Sequence, residues 1–147
     1  MTTTGLNVTL FTDGAAKGNP GPAGIGIWMA CDGVAIQEVG EYIGQTTNNA
    51  AEYKALIRGL KLAKELNVSG VEAFSDSELM VRQLNGVYRV KTASLKPLYD
   101  EARDLRQSFD AFKIQHVPRS QNQEADRLAN LGIEEGRMAS GPGGRAH

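Results

Sequence analysis

The dipeptide Asp32-Gly33 separates two β-prone runs, Gly24 to Cys31 and Val34 to Ile43, and no other feature restricts the fold as much. A two-residue connection of this kind needs positive φ at both central positions, which Asp-Gly tolerates, and it holds the flanking runs as an antiparallel hairpin. Upstream, Val8, Leu10 and Thr12 alternate with Thr9, Phe11 and Asp13, the period of a strand that ends at Asp13-Gly14. The loop Lys17-Gly18-Asn19-Pro20-Gly21-Pro22 is dense in turn residues and joins this strand to the hairpin. The first three strands therefore read as an antiparallel meander.

Beyond Ile43 the period lengthens to 3.6. Ala51, Ala55, Leu56, Leu60, Ala63 and Leu66 share one face of a helix over about residues 50–66. Val71 to Ser75 reads as a short strand, followed by a helix through Leu79, Val81 and Leu84 that stops at Asn85-Gly86, and Val87 to Ser94 reads as a loop. Leu95, Leu98, Tyr99, Ala102, Leu105 and Phe109 mark a further helix, Phe112 to Val117 a fifth strand, and about Asn122 to Glu135 a last helix. The order β-β-β-α-β-α-α-β-α is α/β. Crossovers through helices favour parallel pairing, so the expectation is a five-stranded mixed sheet, strands 1–3 antiparallel and strands 4–5 parallel, flanked by helices. A chain of 147 residues suits one domain, assigned here to residues 1–135, with the Gly-rich stretch 136–147 expected to be a disordered tail.

Composition bounds the setting. The single cysteine, Cys31, excludes a disulfide framework or a multi-cysteine metal site and is expected to be buried and inert in its strand. No run approaches the ~20 apolar residues of a membrane span, and the N-terminus lacks a signal-peptide layout, so a soluble, cytoplasmic chain is expected. Sixteen basic residues against 17 acidic ones give a net charge of −1, which argues against a grip on nucleic acid through bulk positive charge.

Four carboxylates stand in contexts that suit solvated charges poorly. Asp13 ends an apolar strand, Asp76 follows Phe74-Ser75 at the end of another, Glu52 borders the apolar face of its helix, and Asp126 lies between Ala125 and Leu128. Three of them also have an ordinary reading: a turn residue before glycine for Asp13, a helix cap for Asp76, a solvated helix start for Glu52. Core-facing carboxylates are costly unless paired or bound to metal. If the sheet brings all four to one end, the cluster calls for a hard cation, and oxygen-only ligation favours Mg²⁺ or Mn²⁺ over zinc.

Phe11-Thr12-Asp13-Gly14 with Gly18-Asn19-Pro20-Gly21-Pro22-Ala23-Gly24 resembles the opening of type 1 ribonuclease H. So do Thr46-Thr47-Asn48-Asn49-Ala50-Ala51-Glu52-Tyr53, Ser75-Asp76-Ser77 and Asn122-Gln123-Glu124-Ala125-Asp126-Arg127-Leu128-Ala129, in order over about residues 8–132. The resemblance implies a ribonuclease H-like fold and an endonuclease that hydrolyses the RNA strand of RNA–DNA hybrids, leaving 5′-phosphate and 3′-hydroxyl ends. It places Asp13, Glu52, Asp76 and Asp126 as ligands of two Mg²⁺ ions ~3.5–4 Å apart, with Mn²⁺ as a substitute. It also gives His116, ten residues before Asp126, the part of a catalytic proton carrier, with Arg119 as an alternative cation.

The same resemblance makes Gly14, Asn19, Thr47, Asn48 and Asn49 substrate contacts. Amides can bond sugar hydroxyls and base edges in a minor groove, and Thr47 would help hold a phosphate of the DNA strand; Thr and Asn before a helix are also ordinary caps. Leu79 to Tyr99 holds Arg82, Arg89, Lys91 and Lys96 and no acid; a charge run of this kind is ordinarily a solvated face, and the resemblance makes it the best candidate for a phosphate-contacting surface. The chain departs from several bacterial members in passing almost directly from Val87-Tyr88-Arg89-Val90-Lys91 to the next helix, without a Lys- and Trp-rich protrusion, and the expectation is a form without a separate N-terminal hybrid-binding domain. The expected partner is the hybrid duplex, bound by a monomer with no membrane and no obligate protein partner. The alternatives are a nuclease of the same fold acting on double-stranded RNA or DNA junctions, and a non-catalytic nucleic-acid-binding module.

Overall fold

The computed structural model describes residues 6–140. Strands β1 (Asn7–Ala16), β2 (Gly21–Cys31) and β3 (Val34–Thr46) precede α1 (Asn48–Glu65), β4 (Gly70–Ser75), α2 (Glu78–Leu84), α3 (Lys96–Arg106), β5 (Ala111–His116) and α4 (Gln123–Ser140). The sheet order is β3-β2-β1-β4-β5, antiparallel through β1, β2 and β3 and parallel from β1 to β4 to β5. The expected mixed sheet is the one observed. At the hairpin, Asp32 has φ 51° and Gly33 φ 81°, the pair of positive values that its sequence implied.

Alternation along the strands builds two layers on the sheet. Leu10, Ile25, Ile27 and Met29 point to one face and pack with Tyr53, Leu56 and Leu60 of α1 and with Met80 and Leu84 of α2. On β2 the intervening residues are Gly24 and Gly26, which face α4: a Cβ at Gly26 would lie 2.0 Å from the Ala125 carbonyl oxygen, and one at Gly24 2.4 Å from that of Ala129. Helix α4 therefore rests on the backbone of β2, and its own buried residues, Ala125, Ala129 and Ile133, complete that layer.

Two expectations need correction. Helix α4 continues five residues past Glu135, because Gly136 lets it pass over the Tyr42 ring; a Cβ there would lie 2.1 Å from Tyr42 Cγ. Residues 141–147 of the expected tail lie outside the described residues. Cys31 is half-buried rather than buried, since it ends β2 beside the exposed hairpin turn.

Candidate active site

Strands β1 and β4 run parallel, with Thr12 opposite Ser75, so Asp13 and Asp76 leave the same end of the sheet side by side. Strand order changes direction between these two strands, and the crevice outside their carboxyl ends is where open α/β sheets take ligands. Glu52 joins them because α1 lies directly on β1 at Gly14: a Cβ on Gly14 would sit 2.2 Å from the Ala51 carbonyl carbon. That contact lets the Gly14 N–H donate to Glu52 Oε1 at 3.1 Å. Gly14 thus has a packing duty beside its expected substrate contact.

Carboxylate oxygens of Asp13, Glu52 and Asp76 all lie within 4.8 Å of one another. Asp126, on the first turn of α4, stands beside them: Arg119 Nη2 donates to its Oδ1 at 3.2 Å, and Asn130 Nδ2 donates to its backbone oxygen at 2.9 Å and to Oδ1 at 3.4 Å. Asp13 is 5% exposed. Burial, then the Asp76 charge, then a hydrogen bond with Asp126 push its carboxyl up to about 8, against the opposing pull of Arg119. Glu52 is likewise raised well above the usual carboxylate range, first by burial and then by the charges of Asp13 and Asp76, with the Gly14 N–H and Arg119 opposing. Three carboxylates this close together, with Asp13 and Glu52 held above the usual carboxylate range, make a seat for a hard divalent cation, which would replace the protons those two retain.

The cleft around these groups has a volume of about 370 Å³, and Lys17, Asn48, Arg119 and Asn130 line it with Asp13, Glu52 and Asp76. Its rim is a polar network. Asn48 Oδ1 accepts the Ala16 N–H at 2.9 Å, and Asn19 Oδ1 accepts the Asn48 N–H at 2.9 Å, which ties the Lys17–Pro22 loop to the start of α1. Thr47 is the N-cap of α1, its Oγ1 accepting the Ala50 N–H at 3.2 Å, so Asn48 serves the loop rather than the cap. Asn49 is exposed beside it. Likewise Ser77, not Asp76, caps α2, which leaves the Asp76 carboxylate to the cleft. Lys17 and Asn130 were missed by sequence reasoning. Asn130 could have been found one helical turn after Asp126; Lys17 had no signal beyond its place in a turn-rich loop.

A sequence signature described as Reverse transcriptase-like matches residues 11–132. The Ribonuclease HI of Halobacterium salinarum is 40% identical over 132 residues, covering 89% of this chain and 66% of that protein. The Ribonuclease H of Pseudomonas fluorescens is 35% identical over 145 residues, covering 88% of this chain and 93% of its own length. The chain belongs to the ribonuclease H family. It spans 66% of the length of the archaeal relative and 35% of that of the mycobacterial relatives it matches. Among solved structures, LC11-RNase H1 in complex with an RNA/DNA hybrid superposes with a TM-score of 0.83 at 40% identity, covering 88% of this chain and 98% of that one.

The remaining residues to which the ribonuclease H resemblance gave roles lie outside the carboxylate cluster. His116 ends β5, opposite Ser75 in register, and is exposed; it does not line the cleft, whereas Arg119, three residues on, does. The basic stretch is less free than its sequence suggested. Arg82 pairs with Glu78 at 2.8 Å and lies over the Tyr88 ring at 5.5 Å, and Lys96 pairs with Asp100 at 3.1 Å. Both acids stand just outside the run that was read as acid-free. Arg89 and Lys91 are exposed. No helix among the described residues is long and apolar enough to cross a membrane.

Proposed function

We propose that this chain is an endonuclease that hydrolyses the RNA strand of an RNA–DNA hybrid, with two Mg²⁺ ions held by Asp13, Glu52, Asp76 and Asp126. The observation that carries this reading is the meeting of Asp13, Glu52 and Asp76 within 4.8 Å at the carboxyl ends of β1 and β4. The likeness to LC11-RNase H1, solved with a hybrid, supports the substrate class. When bound, the ions supply Lewis-acid activation of water and charge neutralisation at the leaving 3′ oxygen, which gives 5′-phosphate and 3′-hydroxyl ends.

The chain's own residues supply position and selectivity. The Asn19–Asn48 network, Asn49 and Thr47 present amides and a hydroxyl to sugars and phosphates on the α1 side of the cleft. Such groups distinguish a minor groove bearing 2′-hydroxyls without demanding a base sequence. Arg119 holds Asp126 and brings a permanent positive charge to the cleft, while His116, at the end of β5 outside the cleft lining, takes the proton-carrier role on the strength of the family resemblance alone.

The test is cleavage of labelled RNA–DNA hybrid, double-stranded RNA and double-stranded DNA in Mg²⁺, Mn²⁺ or EDTA. Selective cutting of the hybrid RNA strand in either metal, with end-labelled products bearing 5′-phosphates, is expected. Cutting that persists in EDTA overturns the metal mechanism, and equal cutting of either other duplex overturns the hybrid assignment.

A further inference from the structure

We propose that Asn122 is a positioning residue for the carboxylate cluster, clamping the start of α4 to the end of β1 so that Asp126 is held beside Asp13. Its side chain is 1% exposed, and its Nδ2 donates to the backbone oxygen of Thr12 at 2.9 Å, across a separation of 110 residues. Thr12, itself 0% exposed, immediately precedes Asp13. On the other side, the Asn122 carbonyl accepts the Asp126 N–H at 3.0 Å and the Asn122 N–H donates to the Arg119 carbonyl at 2.9 Å. One residue therefore fixes, through three hydrogen bonds, the backbone carrying Asp13, the turn carrying Asp126 and the turn carrying Arg119.

The energetics point to a role beyond stability. The Asn122 Oδ1 and the Thr12 Oγ1 are buried with no hydrogen-bond partner. A buried amide with one half unpaired is a costly way to fill a space that leucine, of similar volume, would fill without that cost. What leucine cannot supply is the donor that joins Thr12 to α4. A directional bond from the Asn122 side chain to the Thr12 backbone fixes the register of the two elements, where apolar packing alone would allow sliding.

This inference rests on the proposed metal site, and its test separates the two. Asn122→Leu keeps the volume and removes the donor. Ile133→Ala is the comparison: Ile133 is 0% exposed on α4 about three turns further on, so this variant weakens α4 packing away from the cluster. Mn²⁺ binding to the metal-free proteins is followed by electron paramagnetic resonance, with kcat and KM on labelled hybrid measured in parallel. Asn122→Leu is expected to weaken Mn²⁺ binding about tenfold or more and to lower kcat with KM within twofold of wild type. Ile133→Ala, although less stable, is expected to bind Mn²⁺ like wild type. If Asn122→Leu does not fold, Asn122→Ser, which is too short to reach Thr12, is measured in its place with the same expectation. Wild-type Mn²⁺ affinity in the donor-free variant, or an equal loss in Ile133→Ala, overturns the clamp. A wild-type protein that binds no Mn²⁺ overturns the metal site itself.

Discussion

Replacing Asp13 with asparagine should stabilise the metal-free protein at alkaline pH while removing its activity. In the folded chain the Asp13 carboxyl is pushed up to about 8, from 3.8, chiefly by burial and by Asp76. Between those values the native state keeps a proton that the unfolded chain releases, so stability falls as pH rises through the window and is level outside it. About 4 units at 1.36 kcal/mol each set a ceiling of roughly 5–6 kcal/mol, reached only above pH 8. Asparagine has the same shape and no charge to bury. Since the strain is shared with Glu52 and Asp76, an advantage of roughly 2–5 kcal/mol is expected at pH 8.5, shrinking to about 1 kcal/mol or less at pH 4.5. Urea unfolding of both proteins in EDTA at the two pH values measures this. Added Mg²⁺ should then close the gap, because the wild type gains a bound ion that the variant holds poorly. A variant no more stable than wild type at pH 8.5 in EDTA, or a difference that does not grow with pH, would refute the argument that the cluster is electrostatically loaded.

The same loading predicts that Mg²⁺ or Mn²⁺ binding at pH 7 releases protons, about one or more per site; calorimetry in buffers of different ionisation enthalpy reads the number, and affinity should rise toward pH 8. Gly14→Ala forces a Cβ to within 2.2 Å of the Ala51 backbone, so α1 must lift from β1 and carry Glu52 away. A loss of roughly 2–3 kcal/mol in urea unfolding and of most cleavage is expected, and an active variant of wild-type stability would show that Glu52 is not held this way. Arg89→Ala with Lys91→Ala should raise KM on the hybrid and flatten its dependence on salt by nearly two charges, leaving kcat at saturation unchanged; an unaltered salt slope would remove both residues from the phosphate-contacting surface.

What could be read from the sequence is what local chemistry dictates. Asp32-Gly33 reported its own backbone angles, the alternation in β1 and the 3.6 period in α1 reported their faces, and Asp13, Glu52 and Asp76 betrayed themselves as charges in apolar settings. What could not be read depended on partners distant in the chain. Glycine at 136 reads as the start of a tail until the Tyr42 ring lies beneath it. Asn122 reads as the first residue of the last helix, and only the fold brings the Thr12 carbonyl to its amide. Arg82 and Lys96 read as free cations because their acids, Glu78 and Asp100, sit one helical turn away on either side of the basic run. His116 is a candidate by spacing from Asp126, but spacing says nothing about whether a strand-end ring faces a cleft or water.

That pairing of Arg82 and Lys96 changes how substrate must be held. With two of the four basic residues already neutralised, the stretch 79–99 offers chiefly Arg89 and Lys91 to phosphates. Two phosphate contacts lose only about tenfold in affinity between 50 and 200 mM salt. On the proposed reading, charge from this surface is therefore a minor holding force, and the hybrid would be kept mainly by fit. The groups proposed for that are uncharged: Asn19 and Asn48, locked to each other and to Ala16 through backbone N–H groups. Because these donors and acceptors are already ordered, binding spends less rotamer entropy on them than on lysines reaching for phosphate. The near-neutral net charge is then consistent with a surface that selects by groove shape and 2′-hydroxyl pattern, and the acidic cluster next to it repels a phosphate backbone until cations occupy it. Metal and substrate should bind cooperatively: at pH 9, where the Asp13 carboxyl has lost its proton, the hybrid Kd in EDTA should fall when Asp13 is replaced by asparagine, since the variant removes a repelling charge without touching the amides.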